Sequence, residues 1–186
     1  MRRIVVIGPE STGKSTLCAR LAEHYKTAWV PEYARHFLEV NGTAYTYDTL
    51  LEIAKGQVRE EDAIAKKMPG VQTQLSAPVS KTPGLLFVDT DLYVIKVWSE
   101  FVFGKCHSWI LNQIAVRKYD LYLLCNVDLP WIKDALREYP DPATRKKLYF
   151  FYKDIMVNQS LSWIDIRGSY DQRFTIAKDG INHYFN

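Results

Sequence analysis

Residues Gly8-Pro9-Glu10-Ser11-Thr12-Gly13-Lys14-Ser15 follow the pattern G-x-x-x-x-G-K-[ST], with the β-branched run Ile4-Val5-Val6-Ile7 before it and a helical repeat after it. A phosphate chain needs many N–H donors converging at close range. Glycines let the backbone wrap around it, and the start of a helix adds the positive end of its dipole. These demands dictate a strand, a tight loop and a helix in that order. They assign Gly8, Pro9, Glu10, Ser11, Thr12 and Gly13 to a cradle for ATP phosphates, Lys14 to the β- and γ-phosphates, Ser15 to Mg²⁺ and Thr16 to the α-phosphate.

The rest of the chain repeats the alternation of short apolar runs with long amphipathic stretches that parallel strands and crossover helices require. Five strands are expected: Ile4 to Ile7, Ala28 to Val30, Leu85 to Val88, Leu121 to Cys125 and Ser162 to Ile166. Helical spacing runs over Lys14 to Tyr25, Asp48 to Lys67 with Asp48 as its cap, Leu92 to Phe103, Ser108 to Lys118, Pro130 to about Glu138, Pro142 to Gln159 and Asp171 to Tyr184. The expected fold is α/β: one domain over residues 1–186, a doubly wound five-stranded parallel sheet of the P-loop nucleoside- or nucleotide-kinase type, with a small helical lid near residues 129–147. Pro69 to Gly84, rich in Pro, Ser, Thr and Gln, reads as a surface loop.

With 186 residues the chain is short for a motor ATPase or an AAA-type remodeller, which adds a lid domain and sensor elements, so its size favours a small-molecule kinase. Guanine readers carry an Asn/Thr-Lys-x-Asp box and a D-x-x-G. Here Cys125-Asn126-Val127-Asp128 lacks the Lys and Asp89-Thr90-Asp91-Leu92 lacks the Gly. Lys plus Arg number 24 against 21 Asp plus Glu, a formal charge of +3 too small and too dispersed for a nucleic-acid partner. Three cysteines without C-x-x-C spacing imply reduced thiols, and no run approaches the ~18 apolar residues of a membrane span. No secretory signal is expected, which makes the cytoplasm the default location.

The metal-side carboxylate of such a site belongs at the end of a neighbouring parallel strand. Asp89 ends the run Phe87-Val88 and fits that place, holding Mg²⁺ directly or through water; Asp91 points at substrate or caps the next helix. The acceptor side should follow the second strand, at Pro31-Glu32-Tyr33-Ala34-Arg35. Glu32 there can take a proton from an attacking hydroxyl or grip ribose hydroxyls, while Arg35, on the same side of a helical turn, balances phosphate charge.

The ordered set GPESTGKSTL, W-x-x-E-Y-x-R-x-F over Trp29 to Phe37, FVDTD, and Trp131-x-x-Asp134-x-x-Arg137 resembles the ribosylnicotinamide kinase domain of bifunctional bacterial NAD-biosynthesis and regulator proteins, over nearly the whole chain. The resemblance implies an ATP- and Mg²⁺-dependent kinase that phosphorylates the 5′-hydroxyl of nicotinamide riboside to give nicotinamide mononucleotide. It implies Glu32, Tyr33 and Arg35 on the riboside side, and Asp89 and Asp91 at metal and substrate. Members of that family carry an adenylyltransferase domain ahead of the kinase. A phosphate loop at Gly8 is expected to leave a stand-alone kinase. Ala135 stands where the family tends to have Gly, and the 69–84 loop is a local expansion.

Phosphoryl transfer also needs a cationic cover that excludes water. Arg137 and Arg145 flank the Pro140 break and are the candidates, Arg137 being the one the resemblance supports. After the last strand, Tyr170 or Arg173 is placed to pack on adenine, and Tyr45 and Tyr47 either stack on nicotinamide or belong to the core. His24, His36, His107 and Cys106 lack metal-ligand spacing and read as structural. Two rival functions are a kinase for a different nucleoside or small molecule, and a regulatory ATP-binding ATPase module.

Overall fold

The computed structural model describes residues 1–68 and 84–185. The expected surface loop over Pro69 to Gly84 therefore lies, save its last residue, outside the described residues. In chain order the elements are β1 (Arg2–Ile7), α1 (Lys14–His24), β2 (Trp29–Val30), α2 (Tyr33–Asn41), α3 (Tyr47–Lys67), β3 (Leu85–Asp89), α4 (Leu92–Phe103), α5 (Ser108–Val116), β4 (Leu121–Cys125), α6 (Pro142–Asn158), β5 (Trp163–Ile166) and α7 (Tyr170–Phe185).

The strands lie in the order β2-β3-β1-β4-β5, every pairing parallel. Both faces of such a sheet are covered by crossover helices, which is why β1, β3 and β4 are apolar on successive residues instead of alternating. Ile4, Val6, Phe87 and Leu123 point to the face packed by Leu17, Leu21, Ala177 and Ile181 of α1 and α7. Val5, Ile7, Val88 and Leu124 point to the face packed by Val97, Leu148 and Met156 of α4 and α6. A third cluster, built on Leu38, Ile53, Ile95 and Ile110, ties α2 to α5 together beyond the β2 side.

Register brings the carboxyl ends of the strands to one level: Val6 pairs with Asp89, Ile7 with Leu124, and Cys125 with Ile166. The loops after β1, β3, β4 and β5 thus converge, and the chain reverses direction across the sheet at β1, where ligands bind in open α/β sheets.

Three expectations are corrected. Residues 130–138 form no helix; they are an irregular strap with one turn at Ala135-Leu136. Its donors go to side chains: Ile132 N to Ser11 Oγ, Glu138 N and Tyr139 N to the Glu10 carboxylate, and Leu136 N to Asp134 Oδ1 within the strap. A helix would need those N–H groups for itself. The cap of α3 is Thr46, not Asp48: Thr46 Oγ1 accepts from Thr49 N and the Thr49 hydroxyl accepts from Thr46 N, a reciprocal capping box. The helical turn read at Glu32 to Arg35 opens a full helix, α2. Pro142 does begin α6, capped by Asp141, whose Oδ2 accepts from Thr144 N at 2.7 Å. No helix among the described residues is long and apolar enough to cross a membrane.

Candidate active site at the strand ends

The phosphate loop leaves β1 through Gly8, whose φ of 140° and tight fit require glycine: a Cβ would lie 2.6 Å from Cys125 O. It enters α1 through Gly13, left-handed at φ 76°, where a Cβ would meet the Tyr170 ring at 3.0 Å and Leu129 at 3.1 Å. Inside the loop the buried Thr12 hydroxyl donates to Pro9 O at 2.7 Å, and Lys14 Nζ donates to the same carbonyl at 3.0 Å. The ammonium is therefore held over the cradle before any ligand arrives. Ser15 and Thr16, in the first turn of α1, stay exposed on the cradle side.

Asp89 ends β3 fully buried, and neither of its carboxylate oxygens has a hydrogen-bond partner among the described residues. Burial pushes its carboxyl well above the ordinary range, and the Glu32 carboxylate pushes it further. Lys14, Ser15 and Arg35 pull the other way. A buried carboxylate orphaned beside a hydroxyl and a second carboxylate is the donor set a hard divalent cation satisfies. Asp89 and Ser15 fit Mg²⁺ on that ground. Among the described residues no group of three or more His, Cys, Asp or Glu could hold a metal.

Glu32 is the N-cap residue of α2 but makes no side-chain cap bond, which leaves its carboxylate to the cleft. Lys14, Ser15 and Glu32, with the buried Asp89 behind the lining, border a cleft of about 240 Å³, with the phosphate loop as floor, α2 and Tyr45 on one side, α4 behind and the strap above. Gly8 to Thr16, Glu32, Arg35, Tyr45, Arg137 and Tyr170 all line it. Arg35 pairs with Asp134 of the strap at 3.2 Å, and the Tyr45 hydroxyl donates to Glu138 Oε2 at 2.8 Å while its ring meets the Trp98 ring edge-on. Arg137 is held by donation to Ile132 O at 2.6 Å.

Five sequence candidates stand elsewhere. Asp91 caps α4 through Tyr93 N at 3.0 Å, accepts from the Tyr122 hydroxyl at 3.1 Å, and faces a separate cavity of about 380 Å³ between α4, α5 and β4. Burial raises its carboxyl to about 7. Tyr33 packs its ring over Gly56 of α3 and donates its N–H to Gln57 Oε1. Tyr47 stacks on His107 at 3.7 Å. Arg145 is buried and donates to Ser11 O and Leu129 O, bracing the loop from outside the cleft. Arg173, 1% exposed, donates to Thr12 O, Asn126 O, Gly168 O and the Asp128 carboxylate; a guanidinium so occupied is not free to stack on a base.

Sequence reasoning missed Trp98, Val97 and Phe101 of α4 as cleft wall, because apolar residues at helical spacing carry no mark that separates wall from core. It also missed what Glu10 does, although a carboxylate inside a phosphate loop is itself a signal.

A family model described as an AAA domain matches residues 3–173. The chain belongs to the AAA domain family. Beyond this AAA membership, the chain is 25% identical over 179 residues to the trifunctional NAD biosynthesis/regulator proteins NadR of Escherichia coli (strain K12) and Salmonella typhimurium (strain LT2). That match takes in 94% of this chain and 40% of theirs, so the AAA chain spans well under half the length of these relatives. Its fold is similar to a crystal structure of NadR protein in complex with NR, at TM-score 0.78 and 20% identity over 100% of this chain and 51% of that one. Deoxyadenosine kinase from M. mycoides with bound dATP matches at TM-score 0.59 and 9% identity, over 97% of this chain and 99% of that chain. This AAA-family chain thus has the P-loop nucleoside-kinase fold, with its five-stranded parallel sheet.

Proposed function

We propose that this protein is a phosphotransferase that moves the γ-phosphoryl group of ATP to the 5′-hydroxyl of nicotinamide riboside, yielding nicotinamide mononucleotide and ADP. The observation that carries the reading is one cleft lined by the phosphate loop with Lys14, by Glu32 and by Arg35, beside the buried and unpartnered Asp89 at the end of β3. It joins a phosphate cradle and a metal-side carboxylate to a carboxylate on the acceptor side. The resemblance of the ordered motifs to the ribosylnicotinamide kinase domain, the 25% identity to NadR, and a fold neighbour in complex with NR support the choice of acceptor.

In this mechanism the loop N–H groups and the α1 N-terminus bind the triphosphate, and Lys14 spans its β- and γ-oxygens. Asp89 and Ser15 would hold Mg²⁺, which supplies charge neutralisation on those oxygens. Glu32 orients the 5′-hydroxyl and takes its proton as the oxygen attacks the γ-phosphorus, while the bond to the β,γ-bridging oxygen breaks and the electron pair leaves with ADP. Arg35 and Arg137 face the charge spread over the transferred group. The strap keeps water from competing as acceptor.

The test is direct. Purified protein with ATP and Mg²⁺ is offered nicotinamide riboside beside purine and pyrimidine nucleosides, and phosphorylated products are measured. Nicotinamide mononucleotide is the expected product. A nucleoside monophosphate from the panel with none from nicotinamide riboside would overturn the acceptor assignment and favour the nucleoside-kinase alternative.

A further inference from the structure

Glu10 sits in the second variable position of the phosphate loop, where a carboxylate faces an incoming polyanion and is electrostatically disfavoured. Its placement explains why it is there. Oε1 accepts from the Trp131 indole Nε1–H at 3.0 Å and from Tyr139 N–H at 2.7 Å, and Oε2 accepts from Glu138 N–H at 3.0 Å. All three donors belong to the strap. The next residue continues the contact: Ser11, left-handed at φ 55°, accepts from Ile132 N–H on its hydroxyl at 2.9 Å. Four strap donors, at both of its ends, thus close on two adjacent loop residues.

The strap has no helix to satisfy its own N–H groups, and hydrogen bonds to a charged acceptor are about twice as strong as neutral ones. The two ends of the strap are therefore set by the phosphate loop instead of by its own secondary structure, while Arg35 and Tyr45 hold Asp134 and Glu138 from the opposite wall. Arg137 lies between the tied residues, one position before Glu138, and it lines the cleft.

We propose that Glu10 is a positioning residue that latches residues 131–139 onto the phosphate loop, fixing Arg137 over the phosphoryl group and keeping the cleft dry. It acts through the strap, to which both of its carboxylate oxygens are bonded. The task given to Arg137 rests on the kinase reading above; the latch itself does not.

Hydrogen exchange measured on the full chain reads the latch without any acceptor. In Glu10→Ala the strap peptides holding Ile132, Glu138 and Tyr139 exchange at least about tenfold faster, while β1 and β4 amides keep their protection. Glu10→Asp retains the charge but is one methylene short, so it behaves like Glu10→Ala; Glu10→Gln retains one acceptor oxygen and falls between. Melting temperatures of the three variants report any global loss of fold, which would instead speed exchange everywhere. In the transfer assay kcat falls by about tenfold or more in Glu10→Ala with KM for ATP moved less than about threefold, and ADP released without product takes a larger share. Strap exchange in Glu10→Ala within about twofold of the parent, or a Glu10→Asp that matches the parent, overturns the proposal. So does a rise confined to KM for ATP. If nicotinamide riboside gives no product at all, the acceptor assignment fails while the exchange arm still decides the latch.

Discussion

Two aspartates two residues apart, Asp89 and Asp91, are both buried, with carboxyls that burial raises, yet they differ in their partners. Asp89 has no partner among the described residues and faces Lys14 and Glu32; Asp91 is capped into α4 and bonded to Tyr122. Burial, with a smaller push from the Glu61 carboxylate, lifts the Asp91 carboxyl from 3.8 to about 7, against its hydrogen bonds. A carboxyl whose folded value is raised keeps a proton the unfolded chain has already lost. Its contribution is therefore complete below the unfolded value and drains as pH climbs to the folded one, at up to about 1.4 kcal/mol per pH unit. Asp91→Asn keeps the cap acceptor and removes the titration. Relative to the parent, its urea midpoint should gain between pH 5 and pH 8, and an offset equal at both values would refute the shift. This pair also marks what was legible. The place of Asp89 could be read from the strand it ends, whereas for Asp91 the cap on Tyr93 N leaves one oxygen whose partner, Tyr122, lies 31 residues away.

At the scale of elements, α2 follows directly on Glu32, the carboxylate proposed for the acceptor side, and the seat of that helix is a glycine in another one. Gly56 lies in the interior of α3, where it costs about 1 kcal/mol of helix propensity relative to alanine. The Tyr33 ring, in the first turn of α2, uses the space: a Cβ at Gly56 would lie 1.9 Å from its Cε1. Gly56→Ala must displace that ring and with it the start of α2, so overpacking of about 1–3 kcal/mol exceeds the propensity gain. The expected result is a lower urea midpoint together with a raised KM for the acceptor and little change for ATP. A more stable Gly56→Ala would mean that α2 shifts freely. The sequence pattern shows α3 as a long helix because its apolar spacing repeats for many turns, but shows α2 only as a turn, because in nine residues its buried pair, Ala34 and Leu38, marks the helical spacing just once. Residues 130–138 misled in the opposite sense. Trp131, Asp134 and Arg137 have helical spacing, yet their partners are Glu10, Arg35 and the Ile132 carbonyl, so a threefold spacing arises here from three separate anchors.

Across the whole molecule, one side chain joins the loops that the parallel register brings together. Arg173, in the first turn of α7, reaches the phosphate loop at Thr12 O (3.0 Å), the end of β4 at Asn126 O (2.9 Å), the end of β5 at Gly168 O (2.8 Å), and Asp128. A motif read along the sequence sees only an arginine near a base-site candidate. The partners come from three loops that become neighbours only when β1, β4 and β5 pair, which is why this role was not legible while the sheet itself was. The two assignments predict opposite results. An adenine-stacking arginine would raise KM for ATP on removal and leave stability nearly untouched. A buried tie leaves carbonyls unpaired, each worth about 1–3 kcal/mol, so Arg173→Met should lose about 3 kcal/mol or more in urea unfolding, with the phosphate loop losing exchange protection first. Arg173→Lys should recover little of it, because an ammonium is a point donor and cannot span four acceptors held by a planar guanidinium. Full recovery by Lys would reduce the role to charge alone, opposite Asp128, and remove the backbone ties from the account.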